Sequence, residues 1–217
     1  MLERGTILME DTGKNSAVLR IGDMAPNFFA RSTVGQVHLS SYRGQWVIFF
    51  SHPANFTPVC TSEFVGLAKA ASDFAEAGCA LIGLSVDSLY SHIAWLTEIE
   101  RRFGLAIDFP ILEDPSMAIG RAYGMIDENS RDSAAMRSTY FIDPEGIIRA
   151  VTTYPHNVGR SVEEMLRLLR GLQKVDETGL LIPEGWDGSG RLLQPPPESL
   201  QGGNGNSDWF VYAGDSK

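Results

Sequence analysis

The stretch that decides the fold runs from residue 45 to residue 63 and reads QWVIFFSHPANFTPVCTSE. Its first part, residues 45–51, is a short continuous apolar run, which predicts a strand covered on both faces. Pro58 cannot donate a backbone hydrogen bond and disfavours helix at Thr57, so we expect a helix to begin at or just after Pro58. Cys60 therefore lies in the first turn of a helix that follows a buried strand.

Strand-like and helix-like runs alternate along most of the chain. Two βα units, a hairpin around the turn Asp143-Pro144-Glu145-Gly146 and a closing helix predict an α/β fold of three layers with a mixed central sheet. The predicted helix at 89–103 has apolar residues at helical spacing, so we expect a buried face formed by Ile93, Leu96, Ile99 and Phe103. The predicted strands are 45–51, 79–86, 109–112, 138–143 and 147–153, and the other predicted helices are 60–77, 116–123 and 161–173.

The chain divides into three parts by its patterning. Residues 20–178 carry the periodic segments and predict one domain, preceded by an N-terminal extension at 1–19. After Gly179 the prolines and glycines leave few periodic segments, so residues 179–217 predict a C-terminal arm rather than a second domain. The apolar segment at 208–212 is expected to dock, either on its own subunit or on a partner subunit.

Composition excludes several classes of protein. The formal net charge of −9 over 217 residues argues against nucleic-acid or anionic-membrane partners, which need clustered Lys and Arg. No apolar run approaches the ~20 residues of a membrane span. The N-terminus lacks the basic-then-apolar order of a signal peptide, so the predicted location is cytoplasmic. Two cysteines form no disulfide framework, and no paired Cys/His spacing predicts a metal; we expect no cofactor.

Cys60 is the first candidate for a reactive group. The start of a helix favours an anion, and the thiolate is the nucleophilic form of cysteine. Lowering the pKa of a thiol from ~8.5 to ~6 requires roughly 3.4 kcal/mol, whereas a helix terminus supplies ~0.3–1 kcal/mol, or ~2 kcal/mol when partly buried. We therefore expect a cation from elsewhere in the chain. The alternative is that Cys60 is a small buried hydrophobic residue, as free cysteines often are.

The motif Pro53-x-x-x-Thr57-x-x-Cys60 resembles the active-site motif of peroxiredoxins. The segments LSVDSLYSHIAWL at 84–96 and MRSTYFID at 136–143 resemble the same family in the same order. The pattern SHP-x-x-FTPVCT at 51–61 and the motif YP-x-x-x-GR at 154–160 resemble sequences of the one-cysteine subfamily, including its archaeal members with a long C-terminal arm. The resemblance covers about residues 20–197 and implies a thioredoxin-like fold whose arm packs across a dimer.

The resemblance also implies a role for each residue that matches the motif. Cys60 is the peroxidatic cysteine, which attacks hydrogen peroxide or an alkyl hydroperoxide and becomes a sulfenic acid. Arg137 is the cation that the thiolate requires, and it helps to bind the peroxide. Thr57 forms a hydrogen bond with the thiolate and the peroxide, while Pro53 shields the site from water.

Three further residues take supporting roles by the same resemblance. His52 lies beside the pocket, Glu63 orients the arginine, and Arg160 supplements its charge. Each has an alternative from the residues alone: His52 as a strand-end residue, Glu63 as a first-turn acid favoured by the helix dipole, and Arg160 as a surface charge.

Cys79 is a poor candidate for a resolving cysteine. A helix over 59–77 spans roughly 27 Å at 1.5 Å per residue, whereas a disulfide needs Cα atoms about 4.4–6.8 Å apart. No cysteine follows residue 79. The expected partners are therefore a hydroperoxide substrate, an external thiol reductant and a second copy of the chain, as a homodimer or a ring of dimers.

Two other functions compete with the peroxidase. A cysteine hydrolase would pair Cys60 with His52, although nothing in the sequence identifies a third orienting group. A chaperone role would need an oligomer that holds unfolded proteins without using Cys60.

Overall fold

The computed structural model describes residues 8–9, 19–126, 132–197 and 209–215. Within these ranges the strands are β1 (Leu8–Met9), β2 (Phe28–Ser32), β3 (Gly35–His38), β4 (Trp46–Ser51), β5 (Cys79–Ser85), β6 (Ile111–Glu113), β7 (Arg137–Ile142) and β8 (Ile148–Tyr154). The helices are α1 (Pro58–Lys69), α2 (Ala71–Glu76), α3 (Leu89–Phe103), α4 (Ala118–Ala122) and α5 (Val162–Thr178). The N-terminal extension lies mostly outside the described residues.

The strands form one mixed sheet in the order β1-β2-β6-β5-β4-β7-β8, with β3 paired to β2. β4 and β5 run parallel, as do β5 and β6, whereas β7 runs antiparallel to both β4 and β8. β7 and β8 are the predicted hairpin around residues 143–146. The prediction of an α/β fold with a mixed central sheet is confirmed.

The central strand β4 is buried along its whole length, which explains its continuous apolar run. Successive side chains of a strand point to opposite faces. Phe49 packs against Tyr123 on one face, with ring centroids 4.7 Å apart. Phe50 packs against Phe64 and Phe109 on the other face, at 5.7 and 6.0 Å. Because both faces are covered, β4 holds its C-terminal end rigidly beside the loop that leads to α1.

Two details of the predicted helices are wrong. The helix predicted at 60–77 is divided in two at Ala70, which has φ −99° and ψ 7°. α3 has the predicted bounds, but its buried residues are His92, Trp95 and Ile99. Ile93 and Phe103, which were expected inside, are exposed. The buried face is rotated because it includes a polar His and an amphipathic Trp that a purely apolar pattern leaves out.

The contacts of the chain separate two compact units, Met1–Val162 and Glu163–Lys217. In the second unit, α5 is followed by a segment in which Leu193 bridges to Leu181 and to Tyr212. Trp186 is buried in this unit, and its ring lies near Gly171 of α5. The predicted limits of the domain and arm, with a boundary after residue 178, remain a prediction.

Two isoleucines of α3 test which face is buried. Ile99 is 1% exposed and Ile93 is 47% exposed. We expect Ile99→Ala to lower the free energy of unfolding by about 2–5 kcal/mol because it leaves a cavity. Ile93→Ala, the same change on the same helix, should cost less than about 1 kcal/mol. Urea denaturation measures both, and equal losses would contradict this assignment of the buried face.

Candidate active site

The loop between β4 and α1 places Cys60 at the start of a helix. Thr57 is the extended residue before the helix, as expected for a residue that precedes a proline, and Pro58 is the first helical residue. Cys60 is thus the third residue of α1, and its side chain is 0% exposed. Phe56 has a positive φ of 57°, an uncommon conformation for a residue with a side chain. The predicted start of the helix is confirmed.

Arg137 is the cation beside Cys60. It is the first residue of β7 and is buried. Its Nη1 donates to Cys60 Sγ over 3.3 Å and to Glu63 Oε2 over 2.7 Å. Its Nε and Nη2 both donate to the backbone carbonyl of His156, at 3.1 and 2.8 Å. Two anchors therefore fix the plane of the guanidinium while one N–H group points to the sulfur.

Glu63 lies one turn beyond Cys60 on α1 and holds both arginines. Its Oε1 accepts from the backbone N and the Nε of Arg160 at 2.8 and 2.9 Å, and its Oε2 accepts from Arg160 Nη2 at 2.9 Å. Burial opposes ionisation of Glu63, but the hydrogen bonds and charge of Arg160, together with the charge of Arg137, outweigh it. The pKa of Glu63 therefore lies below its ordinary value, and the side chain is a carboxylate.

Arg160 is a buried partner of Glu63 rather than a surface charge. Its Nη1 donates to the carbonyl of Ser138 at 3.2 Å and to Thr139 Oγ1 at 3.1 Å. The guanidinium also lies over the ring of Phe50, 5.1 Å from its centroid. Two guanidinium groups thus share one carboxylate, which leaves one net positive charge next to Cys60. That positive charge attracts negative charge at the position of the sulfur.

Thr57 and Pro53 lie in the same loop but do not contact the sulfur through a described hydrogen bond. Pro53 is buried, in keeping with a shielding role. The Thr57 hydroxyl donates to the carbonyl of Ala54 at 2.9 Å, and the Thr57 carbonyl accepts from Thr61 N at 2.9 Å. The hydrogen of the Thr57 hydroxyl is therefore used in the bond to Ala54, while the hydroxyl oxygen keeps a lone pair that can accept another hydrogen bond.

His52 is buried behind the first turns of α1. Its ring packs against Phe64 and Trp95, with centroids 4.9 and 5.3 Å away. Nε2 lies 3.0 Å from Asn55 Oδ1. Burial lowers the pKa of His52 to about 3, so the imidazole is neutral at physiological pH. No described hydrogen bond joins His52 to Cys60, so the Cys–His pair of a hydrolase is not formed among the described residues.

The sequence did not identify several residues that complete the site. The carbonyl of His156 has no side-chain signature, and only the fold brings it to Arg137. Asn55 contacts His52 and also the ring of His92, 3.1 Å from its Nδ1. Asn55 lies inside the motif and His92 inside the segment 84–96, so a search for polar residues near Cys60 and on the next helix would have found both.

Cys79 lies at the opposite end of the parallel strands from the loop that carries Cys60. It opens β5 and pairs in register with Trp46, the first residue of β4, while Ser51 at the other end of β4 pairs with Leu84. These two ends of β4 are five residues apart, which corresponds to about 17 Å along the strand. Burial raises the pKa of the Cys79 thiol to about 12, which makes it a poor nucleophile.

Comparisons with known proteins identify the family. The model of the AhpC/TSA family matches residues 21–151. The chain is 43% identical over 180 residues to Peroxiredoxin 2 of Caldanaerobacter subterraneus subsp. tengcongensis, which covers 83% of this chain and 81% of that protein. The chain therefore belongs to the AhpC/TSA family and, within it, to the peroxiredoxins. It is a thiol-dependent peroxidase.

Solved structures of peroxiredoxins superpose on this chain and confirm the thioredoxin-like fold. A yeast mitochondrial 1-Cys peroxiredoxin matches with a TM-score of 0.78 at 36% identity, covering 82% of this chain and 88% of that chain. A reduced 2-Cys peroxiredoxin of Plasmodium vivax matches with a TM-score of 0.74 at 30% identity, covering 81% of this chain and 93% of that chain.

Among the described residues no helix is both long and apolar enough to span a membrane.

The shared carboxylate can be tested by removing its charge. Glu63→Gln leaves two buried guanidinium groups without their anion, so we expect the free energy of unfolding to fall by about 3–5 kcal/mol at pH 7. Urea denaturation measures the loss. Ser62→Ala, an exposed change on the same turn of α1, is the control and should alter stability by less than about 0.5 kcal/mol. A Glu63→Gln protein as stable as the wild type would show that the network contributes nothing.

The pH dependence of this loss follows from the direction of the pKa shift. The pKa of Glu63 is lower in the folded than in the unfolded protein. Its stabilisation is therefore complete above the unfolded value of ~4.3 and is lost as the pH falls through the folded value. We expect the stability difference between wild type and Glu63→Gln to be constant above about pH 6 and to shrink below about pH 4. A difference that grows on acidification contradicts the assignment.

Proposed function

We propose that the chain reduces hydroperoxides by a one-cysteine mechanism. The Cys60 thiolate attacks the terminal oxygen of hydrogen peroxide or an alkyl hydroperoxide, a new S–O bond forms, and the O–O bond breaks. The leaving alkoxide or hydroxide takes a proton and departs as alcohol or water, and Cys60 becomes a sulfenic acid. The role of Cys60 is supported by the 3.3 Å contact between Arg137 Nη1 and Cys60 Sγ in a buried site, and the one-cysteine mechanism by the position of Cys79 at the other end of the strands.

Arg137 serves the attack in two ways. Before the reaction it stabilises the thiolate, and during the reaction its N–H groups can stabilise the negative charge that spreads over the breaking O–O bond. Because Glu63 and the His156 carbonyl hold the guanidinium in place, no reorganisation is needed when the charge develops. Thr57 Oγ1 and the amides of the first turn are further polar groups that could bind the oxygen atoms of the peroxide.

The sulfenic acid is then resolved by an external thiol. That thiol attacks Cys60 sulfur, water leaves, and a mixed disulfide forms, which a second thiol reduces. Cys79 is a poor candidate because it lies at the opposite end of the strands from the loop that carries Cys60, and burial raises the pKa of its thiol to about 12. The yeast 1-Cys relative is described with a thiol-resolving mechanism via glutathione/thioredoxin systems, so these two thiols are the first reductants to test here.

The two cysteines give a matched test of this mechanism. Cys60→Ser should abolish peroxide reduction with glutathione or thioredoxin, because a serine hydroxyl cannot form the sulfenic acid. Cys79→Ser should retain the activity within about twofold, as expected for a residue outside the reaction. Stopped-flow measurement of peroxide consumption by the reduced proteins, followed by mass spectrometry of the oxidised product, checks both. Equal losses in the two variants, or a Cys60–Cys79 disulfide in the wild type, would overturn the one-cysteine assignment.

We further propose that the protein is at least a dimer and that its C-terminal arm contributes to the association. Trp209 and Phe210 are 74% and 50% exposed, and their rings lie 5.8 Å apart. This pair stays on the surface although the neighbouring Tyr212 bridges to Leu193. Aromatic residues bury large areas and are enriched at interfaces, so a second subunit is the proposed cover.

Sedimentation velocity tests the role of the arm. Replacing Trp209 and Phe210 together with Ser should shift the protein toward smaller species and weaken association by on the order of tenfold or more. Phe103→Ser is the matched control, since Phe103 is a similarly exposed aromatic (44%) at the end of α3. A monomeric wild-type protein refutes the dimer. An unchanged oligomer in the double variant shows that the arm does not take part.

A further inference from the structure

A buried amide joins the two imidazoles behind the Cys60 site. Asn55 Oδ1 lies 3.0 Å from His52 Nε2. Asn55 Nδ2 lies 3.0 Å from Ser91 Oγ and 3.1 Å from His92 Nδ1. His92 Nδ1 also lies 3.2 Å from Asn55 Oδ1. Asn55, His52 and His92 are all buried. One side chain therefore decides how both rings are hydrogen-bonded.

The donors and acceptors of this cluster fix the tautomer of His52. An amide nitrogen has two hydrogens, and here both find acceptors, in Ser91 Oγ and His92 Nδ1. The amide oxygen then faces His52, and because it can only accept, His52 Nε2 must carry the hydrogen. Turning the amide over would move the hydrogen of His52 to Nδ1, which is buried and has no partner among the described residues. In the present orientation His92 Nε2 carries the hydrogen of its ring and likewise lacks a partner at normal hydrogen-bond distance within the described part of the chain, but the backbone of Leu112 lies close enough to favour a hydrogen on His92. Buried N–H groups without an acceptor are rare, whereas a free lone pair is more readily tolerated.

The same residue ties the active-site loop to the start of α3. The backbone N of Asn55 donates to Asp87 Oδ2 at 2.9 Å, and Asp87 also accepts from Ser85 Oγ at 2.9 Å. Ser85 ends β5, and Ser91 belongs to the first turn of α3. The loop that carries Pro53 and Thr57 is thus attached through Asn55 to a second strand and a second helix.

We infer that Asn55 is a positioning residue for the peroxidase reaction: it holds His52 as a neutral Nε2–H imidazole and ties the active-site loop to α3. This inference rests on the proposed function, since the state of His52 matters to a reaction only if Cys60 is the reactive group. The consequence is that His52 adds no charge to the site, so the charged side chains near the sulfur are Arg137, Arg160 and Glu63. Peroxide reduction should then show no step from this histidine between about pH 5 and 8.

The charged groups around His52 agree with a neutral ring. Burial is the main reason for its low pKa, and Arg160 and His92 also oppose protonation, while Asp87 and the hydrogen bond to Asn55 favour it. Asn55 contributes an uncharged acceptor where an aspartate would contribute a carboxylate. The choice of amide over carboxylate at residue 55 therefore keeps the ring from becoming an imidazolium.

Nitrogen-15 NMR of histidine side chains tests the inference on the full chain. The protein has four histidines, so His52→Gln and His92→Gln variants assign the ring signals. We expect wild-type His52 to carry its hydrogen on Nε2 and not to titrate between about pH 5 and 8. Asn55→Asp should make His52 titrate in that range, because a carboxylate stabilises the imidazolium, and should add a step to the pH–rate profile of peroxide reduction. Asn55→Leu should slow peroxide reduction by on the order of tenfold.

Asn27→Asp is the charge-matched control. Asn27 Oδ1 accepts from Ser40 N, an arrangement that an aspartate preserves, so neither the His52 signals nor the rate profile should change. A wild-type His52 with its hydrogen on Nδ1 overturns the inference whether or not any variant folds, as does a His52 that stays neutral in Asn55→Asp. Because NMR needs no turnover, the expected tautomer in a protein that does not consume peroxide would refute the proposed function and leave the hydrogen-bonding role of Asn55 standing.

Discussion

The site depends on one buried carboxylate held between two guanidinium groups. Glu63 accepts from Arg137 on one side and from Arg160 on the other, and all three side chains are buried. Burying these charges is costly unless each is paired and fully hydrogen-bonded. Other N–H groups of the two arginines donate to the carbonyls of His156 and Ser138 and to Thr139 Oγ1. The N–H group aimed at Cys60 is therefore one member of a larger buried network.

This network needs the sheet to be in register before it can form. Arg137 begins β7, which pairs antiparallel with β4, so the start of β7 lies beside the C-terminal end of β4. Ser51 Oγ bridges that edge, since it donates to the Met136 carbonyl and accepts from Ser138 N. A slip of one residue would turn Arg137 to the other face of the sheet. The continuous apolar run of β4 and the chemistry of the site are thus linked through strand pairing.

Local signals in the sequence predicted strands β4 to β8, the start of α1 at Pro58 and the need for a cation near Cys60, but not strands β1, β2 and β3. The identity of that cation came from the family resemblance, because 77 residues separate Arg137 from Cys60. The prediction of the buried face of α3 was wrong because His92 is buried in contact with Asn55, and a pattern of apolar residues does not predict the burial of a polar residue. The hydrogen bond of the Thr57 hydroxyl to Ala54 and the role of the His156 carbonyl depend on loop conformation, which the spacing of residues does not encode.

The site has a charged part, formed by Arg137, Glu63 and Arg160, and a neutral part, formed by His52, Asn55 and His92. Thiol chemistry gives a reason for this separation. A cation beside a thiol raises the thiolate fraction, but the nucleophilicity of a thiolate falls as the pKa of its thiol falls, with a Brønsted coefficient of about 0.4–0.5. Once most of the thiol is ionised, a further positive charge only weakens the nucleophile. Arg137 and Arg160, offset by Glu63, already leave one net positive charge. A protonated His52 would add a second, so a neutral ring held by an amide preserves the reactivity that the arginines create.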